Sequence, residues 1–188
     1  MKIFNKFIIP KRYKRSSLAI GNFDGIHKGH QRVFKNASEF AKQNKSKFGI
    51  LTFSPLPVMF FNKKIKNYKL TSDNEKLRLL KKFHVDFVFN VKFNRKFSKM
   101  SANNFISNII YKKINPARIF VSNNFKFGYK REGNVGVLRN NQIKYKYKLI
   151  NPKPLKKKNK IISSSLIRKL ISKGRILDAN KYLGKNWS

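Results

Sequence analysis

The sequence predicts a single α/β domain with a mostly parallel sheet flanked by helices. Strand-like segments alternate with helical segments along most of the chain, the pattern typical of βαβ units. The chain has 188 residues, a length that suits one domain, and 40% of them are hydrophobic, which is enough for a substantial core. We expect one domain over residues 1–188, with 175–188 as a C-terminal helix and tail.

The first strand and helix lie near the N-terminus. Leu18, Ala19 and Ile20 form a short apolar strand that ends at Gly21. Over residues 29–43, five apolar side chains recur at helical spacing: Val33, Phe34, Ala37, Phe40 and Ala41. This order is strand, glycine-containing turn and helix.

The later elements follow from the same signals. Strand-like segments are residues 48–53, 85–91, 118–121 and 144–149. Three helices begin at serines that can cap them: Ser72, Ser101 and the triplet 163–165. A final helix over 177–183 stops at Gly184, a turn-rich SPLP segment follows residue 53, and 152–160 form a basic, proline-containing connection.

The charge is strongly positive, with 45 Lys and Arg against 7 Asp and Glu. A polyanion such as RNA is one interpretation, because basic surfaces attract phosphate backbones. However, the basic residues are spread along the whole chain, and lysine outnumbers arginine 35 to 10. The excess of Lys, Asn, Ile, Phe and Tyr, which have A/T-rich codons, favours compositional drift over a nucleic-acid role.

Other classes of function are excluded by what the chain lacks. It contains no cysteine, so no disulfide framework or thiolate chemistry is expected. No apolar run approaches the roughly 20 residues of a spanning helix, and the N-terminal segment does not resemble a signal peptide. We expect a cytoplasmic protein without a membrane partner; the oligomeric state is not predicted.

His27 and His30 lie in the turn and first helical positions after the first strand. Such turns bind ligands in open α/β folds, and a helix N-terminus favours an anion. Gly29 would let a phosphate approach the backbone. Zinc would need three or four ligands, and His84 is the one further histidine, so we predict no metal ligands. A structural histidine pair is the alternative, but the strand, glycine and helix context favours phosphate.

Five motifs in order resemble the bacterial FAD synthetases, which belong to a nucleotidyltransferase superfamily with a Rossmann-like fold. They are GNFDGIHKGH at 21–30, TFSPLPVMFF at 52–61, LT with EK at 70–71 and 75–76, NFKFG at 124–128 and ISSSLIR at 162–168. Together they extend over most of the chain. They are far more specific than any one of them alone.

The resemblance implies transfer of AMP from ATP to FMN, which gives FAD and pyrophosphate with Mg²⁺. It implies catalytic roles for His27, His30 and Arg168. The residues implied to bind ATP are Gly21, Asn22, Phe23, Asp24, Gly29, Ser163, Ser164 and Ser165. Those implied to bind FMN are Phe53, Pro55, Pro57, Phe61, Asn124 and Phe127.

This sequence departs from the family pattern at several positions. Leu56 stands where the family has a histidine between two prolines, and Ser122 replaces a usual glycine. Lys126 replaces a common arginine, and Ser165 replaces a threonine while keeping the hydroxyl. Family members usually continue into a riboflavin kinase domain; we expect that domain to be absent and FMN to be supplied from elsewhere.

Two other functions remain open. The first is a degenerate protein of the same fold that binds RNA through its basic surface, an alternative that Leu56 and the biased composition motivate. The second is adenylyl transfer to another phosphate-bearing acceptor, such as nicotinamide mononucleotide or phosphopantetheine. The aromatic loop between residues 52 and 61 favours a flat flavin ring over these acceptors.

Overall fold

The structure, a computed structural model, describes residues 1–65, 68–157 and 159–187. At its centre is a six-stranded sheet in which every neighbouring pair is parallel. Its strands are β1 Lys2–Phe4, β2 Ser17–Ile20, β3 Phe48–Ser54, β4 Phe87–Lys92, β5 Arg118–Phe120 and β8 Lys148–Ile150. Two short antiparallel hairpins lie outside it: β6 Lys126–Phe127 with β7 Gly133–Asn134, and β9 Lys156–Lys157 with β10 Lys160–Ile161.

Helices occupy the connections between the strands. They are α1 Lys28–Gln43, α2 Pro57–Phe61, α3 Asp73–Lys81, α4 Arg95–Ser98, α5 Ala102–Asn104, α6 Val135–Asn140, α7 Ser164–Ile171 and α8 Ile176–Leu183. The segment Phe105–Ile114 continues α5 with π-helical winding. Among the described residues no helix has both the length and the apolar character needed to cross a bilayer. The predicted α/β class with a mostly parallel sheet is confirmed.

The strand order is β1, β4, β3, β2, β5, β8. From β2 the chain moves outward through β3 to β4 and then returns to place β5 on the other side of β2. Ala19 therefore pairs with Ile50 on one side and with Phe120 on the other. This reversal opens a crevice at the carboxyl ends of β2 and β5, the position at which open α/β sheets bind ligands.

The core has one apolar layer on each face of the sheet. Leu18 and Ile20 belong to a layer that packs against the segment Phe105–Ile114. Ala19, which points to the other face, belongs to a layer with Phe34 of α1 and Leu80 of α3. A third apolar cluster joins α7 and α8 to Leu70. Burial on both faces explains why β2 and β3 read as continuous apolar runs.

Capping residues in the sequence correctly predicted where several helices begin or end. The hydroxyls of Ser72, Ser101 and Ser163 each accept a hydrogen bond from the backbone N–H three residues later, which makes them N-caps. Gly184 follows α8 in the left-handed conformation, as a C-terminal glycine should. These predicted boundaries are confirmed.

One prediction about an element was wrong, and several short elements were not predicted. Residues 144–147 form a turn and not a strand, because Lys146 has a φ of +51° and the strand covers Lys148–Ile150 alone. The SPLP turn runs directly into α2. The connection 152–160 contains strand residues of the β9–β10 hairpin, with Lys158 outside the described residues. The short edge strand β1 was not predicted.

Candidate active site

The turn between β2 and α1 has an unusual backbone. Phe23, Gly25 and Ile26 have φ values of +49°, +83° and +42°. Successive backbone N–H groups in such alternating conformations form concave anion-binding nests. Gly25 is required there, because a Cβ on it would lie 2.9 Å from Cδ1 of Leu70. The turn that the sequence assigned to phosphate therefore has a backbone suited to an anion.

His27 and His30 lie against one another at the start of α1. Their ring centroids are 3.6 Å apart and their planes differ by 20°. Nδ1 of His27 accepts the backbone N–H of His30 at 3.3 Å and so caps the helix. The neutral His27 ring must therefore carry its proton on Nε2. The buried Nδ1 of His30 has no hydrogen-bond partner among the described residues.

Both histidines are neutral at physiological pH. Burial lowers the pKa of His27 to about 4, and the positive charge of Arg168 contributes in the same direction. Burial also lowers the pKa of His30 well below its usual value, and His27 contributes. The stacked pair therefore offers N–H donors rather than positive charge to an anion.

Asp24 connects three segments of the chain. Its carboxylate accepts the backbone N–H groups of Leu70 at 2.9 Å and Thr71 at 3.3 Å, both from the segment before α3. It also accepts Nη2 of Arg168 in α7 at 2.5 Å. Asp24 is 4% exposed, so this is a buried charge that its partners compensate.

Arg168 is held in position by more than this ion pair. Its Nε donates to the backbone oxygen of Tyr68 at 2.9 Å, and its guanidinium lies 3.8 Å from the centroid of the Tyr68 ring. Its Nη1 donates to no protein acceptor within the described ranges. A guanidinium fixed on one edge and unbonded on the other is suited to bind an anion from the crevice.

The N-terminus of α7 meets the N-terminus of α1. Ser164 donates its hydroxyl to the backbone oxygen of Asp24 at 2.9 Å. A Cβ on Gly29 would lie 3.1 Å from the His27 ring and 3.2 Å from the oxygen of Ile162, so glycine lets the two segments approach closely there. Two helix dipoles therefore direct their positive ends to one region.

The predicted serines have different environments. The hydroxyl of Ser163 caps α7 by accepting the N–H of Leu166. The hydroxyl of Ser164 donates to Asp24 in the turn between β2 and α1, which we call the histidine turn. Ser165 is exposed. Gly21 donates its N–H to Leu51 of β3, and Asn22 is exposed at the start of the turn. The structure thus places all eleven residues assigned to ATP and catalysis on the turn after β2 and around the start of α7.

The segments assigned to FMN lie at the carboxyl ends of β3 and β5, the same edge of the sheet as the turn after β2. A cleft of about 420 Å³ opens there, and Phe61, which is 68% exposed, lines it. The other lining residues are Phe60, Arg95, Ser98, Lys99, Tyr129 and Lys130. An apolar wall with a basic rim matches a flat aromatic ring that carries an anionic group.

The other aromatic-loop residues lie deeper or beside the cleft. Phe53 is buried and its ring packs against those of Phe93 and Phe97. Pro55 follows a cis peptide bond, and Pro57 occupies the first turn of α2. Leu56 is 3% exposed, so the position where the family has a histidine is part of the core here.

Asn124 and Phe127 follow β5 on the other side of the crevice. The exposed Asn124 accepts the hydroxyl of Ser122 at 2.9 Å. Phe127 stacks on Phe125 with 5.4 Å between centroids and also contacts Phe105. None of the five FMN positions other than Phe61 lines the 420 Å³ cleft, so their predicted contact with FMN stays a prediction.

The described residues contain no group of three His, Cys, Asp or Glu side chains that could hold a metal ion. The carboxylate nearest the histidine turn, Asp24, is already occupied by backbone N–H groups and Arg168. These donors do not form a resident metal site.

Sequence reasoning missed several residues at this edge. Tyr68 and Thr71 hold Arg168 and the histidine turn, and Thr71 accepts the N–H of Gly25 at 3.1 Å. Tyr129 and Lys130 line the cleft directly after the NFKFG motif. The LT motif at 70–71 marked Thr71, while no pattern in the sequence marked Tyr68, Tyr129 or Lys130.

Comparison with known proteins gives consistent matches. The family model described as FAD synthetase matches residues 9–166. A bifunctional riboflavin kinase/FMN adenylyltransferase from Buchnera aphidicola (subsp. Schizaphis graminum) is 37% identical over 96% of this chain, which spans 58% of that protein. An FAD synthetase from Listeria monocytogenes is 29% identical over the whole chain, which spans 76% of that protein.

A solved structure described as a macrolide-efflux protein from Streptococcus pneumoniae has the same α/β fold. Its TM-score is 0.79 at 26% identity, and the match covers 92% of this chain and 65% of that one. The chain spans a little over half of the length of its bifunctional relatives, 58% and 55% for the two from Buchnera and 53% for that from Escherichia coli.

The buried Asp24–Arg168 pair should contribute strongly to stability. Asp24→Asn leaves the Arg168 guanidinium without its charge partner and places an amide among donors, so the free energy of unfolding should fall by about 2 to 4 kcal/mol. Urea denaturation followed by circular dichroism measures this. Asp178→Asn, which loses the more exposed pair with Arg175, is the control and should change stability little. Equal effects of the two substitutions would contradict the account.

The His27 ring should titrate far below an ordinary histidine. Because the folded-state pKa is about 4 and the unfolded value is near 6.5, the unfolded state binds more protons between these values. Stability should therefore fall as the pH decreases from 6.5 towards 4. Proton NMR of the imidazole signals, assigned with His27→Gln, measures the titration; a His27 midpoint near 6.5 would refute the prediction.

Proposed function

The chain belongs to the FAD synthetase family, and from that premise we propose that it transfers the adenylyl group of ATP to FMN, giving FAD and pyrophosphate. The observation that carries the proposal is the meeting of the α1 and α7 N-termini at the Asp24–Arg168 ion pair. Their positive dipole ends, the histidine pair and the guanidinium face one region of the crevice.

The binding step follows from these donors. The triphosphate of MgATP lies between the first turns of α1 and α7, where Nε2–H of the neutral His27 ring and the free Nη1 of Arg168 donate to its oxygens. The neutral imidazole donates its N–H without carrying a charge, and the guanidinium of Arg168 supplies the positive charge. The flavin occupies the crevice edge towards Phe61, with its phosphate directed at the histidine turn.

The chemical step needs no general base. A phosphate monoester has a second pKa near ~6, so the FMN phosphate is already largely ionised at neutral pH. One of its oxygens forms a bond to the α-phosphorus of ATP, and the bond from that phosphorus to the oxygen bridging it to the β-phosphorus breaks. Pyrophosphate leaves with the bonding electrons. The protein holds the two substrates in line and stabilises the charge that develops.

The cytoplasm is the compartment in which this activity would operate, since its substrates are soluble nucleotides. Nicotinamide mononucleotide and phosphopantetheine are less suited as acceptors, because the cleft has an apolar wall that includes Phe60 and Phe61. The RNA-binding alternative gives no role to the stacked His27–His30 pair or to the positioned guanidinium of Arg168.

The activity is tested by mixing the protein with MgATP and FMN and measuring FAD by chromatography. The His30→Ala variant should lower kcat by about 100-fold or more, the usual loss for one donor to a developing charge. His84→Asn, a histidine outside the crevice whose left-handed φ of +55° suits asparagine, is the matched control. Absence of FAD with the wild-type chain, together with salt-sensitive RNA binding, would replace the proposal by the RNA-binding alternative.

The cleft at Phe61 should affect the affinity for FMN and leave the affinity for ATP unchanged. Phe61→Ala removes an exposed ring from the cleft wall, so KM for FMN should rise about three- to tenfold while KM for ATP stays constant. Steady-state kinetics with each substrate varied in turn measures both values. Ile143→Ala, an exposed apolar residue in the turn before β8, is the control. Equal shifts in both KM values would show that the cleft does not bind the flavin.

A further inference from the structure

Lys76 is a buried lysine that is connected to the histidine turn through Thr52. It lies in the first turns of α3 and is 2% exposed. Its Nζ donates to Oγ1 of Thr52 at 3.3 Å, and it lies 3.7 Å from Oδ1 of Asp73, beyond a normal hydrogen bond. A buried ammonium costs free energy unless its contacts compensate it, so its presence requires a reason.

The charge of Asp73 is only part of that reason. Oδ2 of Asp73 already accepts the hydroxyl of Ser54 at 2.6 Å and Nζ of Lys69 at 2.7 Å. Although burial, the largest influence, opposes it, these two donors and the nearby charge of Lys76 lower the pKa of Asp73. Burial lowers the pKa of Lys76, although the negative charges of Asp73 and Asp24 oppose this shift. The hydrogen-bonded partner of Lys76 is therefore Thr52.

The hydrogen bonds from Lys76 have a fixed direction. Thr52 has one hydroxyl hydrogen, which it donates to the backbone oxygen of Asn22 at 3.1 Å. Its oxygen must then accept from Lys76, which has donors only. The series Lys76, Thr52 and Asn22 connects three of the sequence motifs, and its last acceptor belongs to the histidine turn.

The orientation of one peptide unit follows from this series. The Asn22 carbonyl points towards Thr52 on β3, and because the peptide is trans, the N–H of Phe23 points in the opposite direction. Within the described ranges, the N–H of Phe23 donates to no protein acceptor. Away from β3, on the far side of β2, lies the crevice beside β5.

We infer that Lys76 is a positioning residue for the nucleotide: acting through Thr52, it turns the peptide between Asn22 and Phe23 so that the Phe23 N–H faces a phosphate in the crevice. The inference rests on the proposed function and extends it to a residue that contacts no substrate. Lys76 polarises the hydroxyl of Thr52, which strengthens the bond to Asn22. An apolar residue of the same length would fill the space without fixing the peptide.

The test compares Lys76→Met, Thr52→Val and the double variant in the full chain. KM for ATP should rise about tenfold in each single variant, with KM for FMN unchanged. Since both residues act through one hydrogen-bond series, the double variant should lose no more than the worse single variant. Thr52→Ser keeps the hydroxyl and should restore KM for ATP to within about twofold of the wild-type value.

Lys69→Met is the matched control, because it removes a lysine from the same carboxylate without touching Thr52. It should leave both KM values unchanged. Thermal unfolding of each variant separates a loss of folding from a loss of positioning, and Thr52→Val removes no charge. Unchanged KM for ATP in the folded Lys76→Met variant, or additive losses in the double variant, would overturn the inference.

The inference and the proposed function can fail separately. Binding of a non-hydrolysable ATP analogue, measured by calorimetry, reports on the peptide orientation even where no FAD is formed. About tenfold weaker analogue binding in both single variants supports the positioning role whatever the acceptor substrate is. Wild-type analogue affinity in both variants overturns it, even where the wild-type chain synthesises FAD.

Discussion

The buried carboxylate of Asp24 is the constraint on which the site depends. It lies in the turn after β2, and its partners come from the segment before α3 and from α7, whose Arg168 lies 144 residues further along the chain. The sheet brings α1 and α3 to one face, but α7 is attached by this pair and by the third apolar cluster. Because a buried carboxylate must be compensated, Asp24 favours the arrangement in which Arg168 lies beside the histidine turn.

Several of the seven carboxylates in the chain accept hydrogen bonds that hold its segments together. Asp24 and Asp73 organise the edge of the sheet, Asp86 accepts the N–H of Phe48 at the start of β3, and Glu132 accepts the N–H of Ala102 at the start of α5. Most of the 45 basic side chains cannot form an ion pair with a carboxylate, because the chain has only seven Asp and Glu residues. The resulting positive field would attract anionic nucleotides to the crevice and would weaken with added salt.

Much of the fold was predictable because its determinants are local. The caps at Ser72 and Ser163 and the stop at Gly184 depend on residues within one helical turn. The failures depend on distant or competing contacts. Alternating Lys and Tyr predicted a strand over 144–149, whereas the hydroxyl of Tyr147 donates to the oxygen of Leu138 and the preceding residues turn.

The sequence predicted which residues form the candidate site, but it did not predict their contacts, their protonation or their burial. The motifs indicated His27 and Arg168, and the structure brings them near one another. Sequence could not show that Asp24 points its carboxylate at the protein, that the histidines are neutral, or that Lys76 is buried on a helix where a lysine is expected to face solvent. These properties follow from contacts across more than 20 residues of sequence.

A crystal structure with a non-hydrolysable ATP analogue tests the central claim most directly. The account predicts the triphosphate between the first turns of α1 and α7, within hydrogen-bond distance of His27 Nε2 and Arg168 Nη1, with Asp24 still bonded to Arg168. It would be contradicted by a triphosphate bound elsewhere, such as at the basic cleft lined by Arg32, Lys35 and Lys82, or by an Asp24 carboxylate that leaves Arg168 to contact the nucleotide.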